Sequence, residues 1–254
     1  MVKIGVNLLP EHTPAAALRA AWRAADGLGV DSLWIWDHFF PVTGDPDGTS
    51  FECWTLISAM AADTSHATVG SLVSACGYRN PDLLADMART VDHVSGGRAV
   101  LGLGAGWMER DYAAYGYPFG PDRARLAELE ASLVRVRARL GALNPRPAGP
   151  LPVLVGGSGE KVTLRLVAQY AEVWNFIGTL DEFRHKSLVL DGWAERVGRD
   201  PASIERSISV FAEDRPLPLP DYVAAGVDHV IRGVRHPFDL DDVADLLAQR
   251  DRLG

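Results

Sequence analysis

Cysteine is scarce in this chain of 254 residues, which carries only Cys53 and Cys76. The two form no CxxC pair and no metal-ligand spacing, so a disulfide scaffold and a zinc module are both excluded and a reducing, cytoplasmic compartment is expected. Long apolar runs are missing too. None approaches the roughly 18 residues that a membrane-crossing helix needs. The start, MVKIGVNLLPEH, has one lysine and a short apolar stretch, which reads as a first strand and not as a signal peptide. Basic excess is absent: 25 lysines and arginines stand against 33 acidic residues, a formal net charge of -8. That balance argues against a general nucleic-acid binder. No linker or low-complexity segment divides the chain. The proline-rich run 145–152 lies between a helix and a strand and reads as a connection.

What is present is an ordinary globular balance, 47% apolar and 23% charged, arranged in a regular alternation. Strands are expected at residues 2–8, 31–36, 67–73, 98–103, 151–155, 172–176, 204–211 and 228–233. Helical spacing marks residues 14–28, 51–62, 81–94, 122–140, 160–170, 180–197 and 240–253, with a stub at 222–225 after the RPLPLP stretch. Pro81 suits the first position of its helix. Eight strand–helix units in one domain, residues 1–254, predict a (β/α)8 TIM barrel. An open doubly wound sheet is the competing architecture, and it rarely needs eight near-equal units.

Parallel barrels carry their active sites at the C-terminal ends of the strands. Those ends bring together Trp36, Asp37, His38 and Phe39 after the second strand, then Ser74 to Tyr78 after the third. Gly102-Leu103-Gly104-Ala105-Gly106-Trp107 follow the fourth, Gly156-Gly157-Ser158-Gly159 the fifth, and Trp174, Asn175 and Phe176 the sixth. A rim of glycine and aromatics with one histidine suits a flat aromatic ligand with a phosphate tail. Successive backbone N–H groups at Gly156 to Gly159, opening a helix, can cradle the phosphate, and Lys161 can add a charge. The alternative is a tight turn that needs glycine for positive φ. The glycines at 102, 104 and 106 are no Rossmann fingerprint, because they follow the fourth strand and not the first. His38 is the candidate for proton chemistry near neutral pH. Asp37 is placed to hydrogen-bond a ring N–H, and a plain loop anchor is the bland alternative. The first strand ends Asn7-Leu8-Leu9, without the HxH of a metal hydrolase, so no metal site is expected. Cys76 reads as a small buried cysteine, and His93 as a contact at a helix C-terminus.

Taken together, the stretches SLWIWDHFF, VGSLVSACGYRNPDLLADMARTVDHVSGGRAVLGLGAGWMERDYAAYG, PVLVGGSGEKVTLRLVAQYAEVWNF and ERVGRDP resemble the luciferase-like monooxygenase family. The resemblance implies a reduced flavin or the deazaflavin coenzyme F420 at the barrel mouth. It implies that the ring rests on a bulge at Leu72, Val73 and Ser74 holding a non-proline cis peptide. It maps the family's Asp-His onto Asp37 and His38, its phosphate turn onto Gly157, Ser158 and Gly159, and its ring-edge contacts onto Trp174 and Asn175. Gly106 and Trp107 join these as cofactor contacts.

Two departures shape the expected activity. The insertion before the fifth strand is reduced to residues 141–150, and the segment before the eighth to 221–226. That leaves a more open pocket, in which a reactive oxygen adduct is poorly shielded. Trp107 stands where the sugar-phosphate dehydrogenases of the family carry an acidic residue, which disfavours that activity. The expectation is an oxidoreductase that uses coenzyme F420 for hydride transfer with a small organic substrate. The alternatives are an FMN-dependent monooxygenase and a trimmed barrel that binds a flavin without turning it over. Expected partners are the substrate and, as one option, a second copy in a homodimer, with neither nucleic acid nor membrane.

Overall fold

The computed structural model describes residues 1–211 and 217–253. Arg215 and Pro216 of the proline-rich stretch therefore lie outside the described residues. In chain order the elements are β1 (Lys3–Leu8), α1 (Ala15–Leu28), β2 (Ser32–Ile35), α2 (Cys53–Asp63), β3 (Thr68–Ser71) and β4 (Ser74–Ala75). Then come α3 (Pro81–Ser95), β5 (Ala99–Gly104), α4 (Glu109–Tyr115), α5 (Asp122–Ala142), β6 (Val153–Gly156) and α6 (Thr163–Tyr170). The chain closes with β7 (Val173–Ile177), α7 (Leu180–Arg196), β8 (Glu205–Val210), α8 (Leu219–Ala224), β9 (His229–Val234) and α9 (Asp241–Leu253).

The ladders run β3-β2-β1-β9-β8-β7-β6-β5-β4, every one parallel, and pairing of β3 with β5 closes the ring. β3 and β4 are two halves of one strand, so the barrel has eight strand positions, as the alternation predicts. Between the halves, Gly70 faces Val100 and Ser74 faces Leu103. Four steps on one strand thus oppose three on the other, which is a one-residue bulge. The Leu72–Val73 peptide inside it is cis.

The strands obey the period of two. Ile4, Val6 and Leu8 pack outward with the helices, whereas Trp34, Val100, Leu154, Val173 and Ile231 form a layer inside the barrel. Leu72 and Val73 of the bulge pack against that inner layer and close it toward the mouth. Helix starts are fixed by side-chain caps: Asn80 accepts from the Asp82 and Leu83 amides ahead of α3, with Pro81 at its first position, and Thr179 with Glu182 forms a capping box on α7. No helix among the described residues is long and apolar enough to cross a membrane.

Two elements depart from the expectation. α4 lies in a stretch to which the sequence reading assigns no element; its sequence, ERDYAAY, is too short and polar to show a stripe. α6 begins at Thr163, not at residue 160, so residues 160–162 form a turn ahead of the helix.

Candidate active site

A cavity of about 460 Å³ opens at the C-terminal ends of the strands, within the range of small-molecule sites. One wall is backbone and glycine: Leu72 and Val73 of the bulge face Gly104, Gly106, Gly156 and Gly157. A Cβ on Gly104 would meet Val73 at 2.7 Å, so only glycine lets the bulge close against β5. The rest of the lining includes a polar and aromatic group, Asn7, Trp36, Asp37 and His38. Trp107 stands 62% exposed at the rim.

His38 is held in a fixed tautomer. Its Nδ1 donates to Asp111 Oδ2 at 2.7 Å, and a carboxylate can only accept, so the proton sits on Nδ1. Nε2 is left to the cavity. The imidazole is packed edge-on between Trp36, at 5.8 Å between ring centroids, and Trp107, at 5.4 Å. Asp111 is fully buried on the first turn of α4 and accepts from three further donors: Tyr78 Oη at 2.7 Å and the amides of Phe39 and Phe40 at 3.1 and 3.3 Å. Burial, reinforced by the Asp111 carboxylate, pushes the Tyr78 phenol well above its usual range, so this hydroxyl is a permanent donor. Asp111 was not legible beforehand, since it lies 73 residues from His38 inside the unrecognised helix.

Asp37 lines the cavity, yet its carboxylate is engaged by Arg79, at 2.5 Å from Nη1 and 3.1 Å from Nη2. Burial works against both charges. Asp37 is raised above the ordinary carboxylate range, and Arg79 is held charged by Asp37 and by Glu52 beyond it. The pair anchors the β2 end to the segment after β4. Ser74 is buried in the same region and accepts from Trp54 Nε1 at 2.9 Å, without lining the cavity.

At the glycine turn, Gly157 takes φ +125°. Gly157 and Ser158 line the cavity, and Gly159 sits just outside it. The Gly157 N–H is already committed to the Asn175 carbonyl at 3.1 Å. The donors left for an anion are the Ser158 and Gly159 amides, which reach no backbone carbonyl among the described residues. Because α6 starts later than expected, these amides precede the helix by a turn instead of opening it. Lys161 is exposed beside them.

Trp174 does not line the mouth. It is fully buried on the outer face of β7, stacked on Phe183 of α7, and its Nε1 donates to the Gly157 carbonyl at 2.8 Å. It therefore supports the glycine turn from behind. Asn175, one residue on, points inward and lines the cavity. Its Nδ2 donates to Ser207 Oγ at 3.0 Å and its Oδ1 accepts from Ser209 at 3.2 Å.

Several residues take the bland role. Burial pushes the Cys76 thiol up to about 12, consistent with an inert core cysteine. His93 bonds the Arg146 carbonyl at 2.8 Å at the end of α3. Arg232, on β9, is buried and paired with Asp242 at 2.7 Å. Asn7, read only as the end of the first strand, proves to be a cavity residue.

Three similarities bear on this arrangement. An uncharacterized protein of Mycobacterium tuberculosis is 28% identical over 254 residues, covering 87% of each chain. An F420-dependent secondary alcohol dehydrogenase, solved with an F420-acetone adduct, superposes with a TM-score of 0.87 at 15% identity over 98% of both chains. The FMN-bound oxygenating constituent of 3,6-diketocamphane monooxygenase from Pseudomonas putida has a TM-score of 0.66 at 17% identity, over 82% of this chain and 67% of that one. Such likeness shows the fold. The family model for the luciferase-like monooxygenases matches residues 2–213; with the barrel, the bulge and the mouth in place, this chain belongs to the luciferase-like monooxygenase family.

Proposed function

We propose that this chain is an oxidoreductase that binds coenzyme F420 and moves a hydride between it and a small organic substrate, with His38 moving the accompanying proton. The observation that carries the reading is the 2.7 Å bond from His38 Nδ1 to Asp111. It fixes Nε2 as the one nitrogen able to exchange a proton with a ligand in the cavity.

The residues present fit such a cofactor. The glycine and bulge wall leaves room for a flat ring beside Val73, Gly104 and Gly156. The Ser158 and Gly159 amides supply unpaired donors for a phosphate at the rim. Coenzyme F420, when bound, supplies or accepts the hydride. His38 neutral accepts a proton at Nε2 from an alcohol being oxidised, and His38 protonated returns it to a carbonyl being reduced. Asp111 fixes the tautomer of the neutral ring and pairs with the imidazolium once Nε2 is protonated, and Trp36 and Trp107 pack edge-on against the ring.

Hydride transfer is favoured over oxygen chemistry by the rim. Trp107 and Ile177 are 62% and 64% exposed there, and an oxygen adduct needs a site from which water is kept out. The test is a pair of titrations of the purified protein, one with coenzyme F420 and one with FMN, followed by turnover assays with whichever binds. Tight F420 binding and F420-linked oxidation or reduction support the reading. Tight FMN binding with oxygen consumption assigns the protein to the monooxygenases instead. Binding of either without turnover makes it a carrier.

A further inference from the structure

Beside the cavity of the candidate active site lies a second one, of about 660 Å³, over the C-terminal ends of β7 and β8. Trp36, Val42, Ile177, Ser209 and Phe211 line both, so the two are lobes of one mouth. The bulge, the glycine wall and His38 belong to the first lobe alone. The second runs on past Ile177 to Leu180 at the start of α7 and past Val210 to Tyr222 of α8.

The second lobe offers little to a polar ligand. Its hydroxyls donate within the protein: Thr43 Oγ1 to Glu11, Thr179 Oγ1 to Glu182 at 3.0 Å, and Ser209 Oγ to Asn175 at 3.2 Å. Tyr222 and Arg235 are engaged as well. Among the described residues, what the lobe presents to a ligand is Val42, Ile177, Leu180, Val210 and Phe211. Ile177 is left largely in water where the lobes meet, and apolar surface exposed along a groove marks a place where a ligand lies. We infer that the second lobe seats an apolar chain of the substrate, whose oxygen-bearing carbon lies at His38 in the first. The substrate class is an aliphatic alcohol or ketone whose chain runs over Ile177 toward Leu180 and Val210. A sugar or other polyol is disfavoured there, because it would trade water for a wall whose donors are taken.

This deepens the function proposed above and rests on it for the chemistry, though not for the binding of the chain. The experiment separates the two by using both cofactor-free and F420-loaded protein. The probes are 2-propanol, 2-pentanol, 2-heptanol and 2-nonanol, with the polyol xylitol beside them, followed by ligand-observed NMR titration. Affinity is expected to rise about threefold for each added methylene until the lobe is filled, and xylitol is expected not to bind. Leu180→Asp places an acidic residue in the first turn of α7, where it is tolerated. Ile177→Thr keeps a β-branched residue at the exposed end of β7. Each is expected to weaken 2-nonanol binding about fivefold or more, with coenzyme F420 affinity within about twofold of the parent.

Affinity that does not rise with chain length in either form of the protein overturns the inference and leaves water in the lobe. A rise that both variants leave intact overturns it too, since the chain then lies elsewhere. Xylitol bound more tightly than 2-pentanol gives the lobe to a polar ligand. A tenfold loss of coenzyme F420 affinity in both variants gives it to the cofactor. Chain-length preference that both variants weaken, in a protein that binds no F420, upholds the inference and sinks only the cofactor reading.

Discussion

The barrel contains an imidazole–carboxylate pair at each end, one closed and one open. At the N-terminal end, His229 Nδ1 meets Glu205 at 2.9 Å, and its Nε2 meets Ser32 Oγ at 2.8 Å. Ser32 also accepts from Trp34 Nε1, and Glu205 takes Lys3 at 2.6 Å. Every polar atom of that imidazole is spent. At the mouth, His38 likewise has a carboxylate, that of Asp111, on Nδ1, and its Nε2 faces a cavity. The residue types are alike, and what differs is whether the second nitrogen has a partner inside the protein. A histidine with both nitrogens answered holds structure together, and one with a free nitrogen is available for chemistry.

The sharpest way to break this comparison is to remove the closed pair. His229→Ala opens a cavity among buried groups and leaves half-buried Glu205 with Lys3 alone and buried Ser32 with Trp34 alone. It is expected to lower stability by about 3 kcal/mol or more, read by urea denaturation, with activity per folded molecule retained. A stable His229→Ala protein would place the bottom network outside the fold's essentials.

The same network sets an acid limit. Burial works to raise the Glu205 carboxyl, and the His229 and Lys3 partners more than reverse this, holding it down to about 2 against an ordinary 4.5. Because the folded value is depressed, the stabilisation is complete above about pH 4.5 and is lost as pH falls from there toward 2. The effect is on the order of 3 kcal/mol. Denaturation midpoints measured across pH 2–6 should show the slope, and Glu205→Gln should flatten it.

His38→Ala carries the opposite signature. Turnover should fall on the order of 100-fold, while the melting temperature stays near that of the parent. An equal rate in the variant would move His38 to a structural role beside His229.

The smallest expected effect lies at the glycine turn. Gly157→Val forces a β-branched residue into φ +125°, with its Cβ 3.2 Å from Thr163 Cγ2. It should weaken cofactor binding by about tenfold, or roughly 1.4 kcal/mol. The barrel should survive, because the turn is at the rim. The check is a titration beside a thermal melt.

Alternation of β-branched runs with amphipathic stripes was enough to read the eight strand positions, because each unit is local in sequence. Which face of a strand looks inward was harder to see. In a parallel barrel both faces are buried, so polarity does not alternate cleanly, and Trp174 was placed in the mouth when it packs against α7. That Leu72, Val73, Gly104 and Gly157 line one cavity was legible through glycine and the family pattern. Asp111 and Asn7 were not. Asp111 acquires its meaning only when α4 folds onto His38, and Asn7 only when β1 is seen to bring it to the cavity. Neither property has a signature in the order of residues.

Trp107 makes the mouth observable. Its indole is 62% exposed to water, and its ring stands 5.4 Å from the His38 imidazole. An indole in water emits at long wavelength, and one covered by a ligand emits further to the blue. Trp22, Trp34, Trp54 and Trp174 are already buried and report little change, whereas Trp36, half-buried in the lining of the same cavity, shares the signal. Arrival of a ligand at the rim is thus written into the colour of the protein's own light, and Trp107→Phe isolates the share that Trp107 contributes.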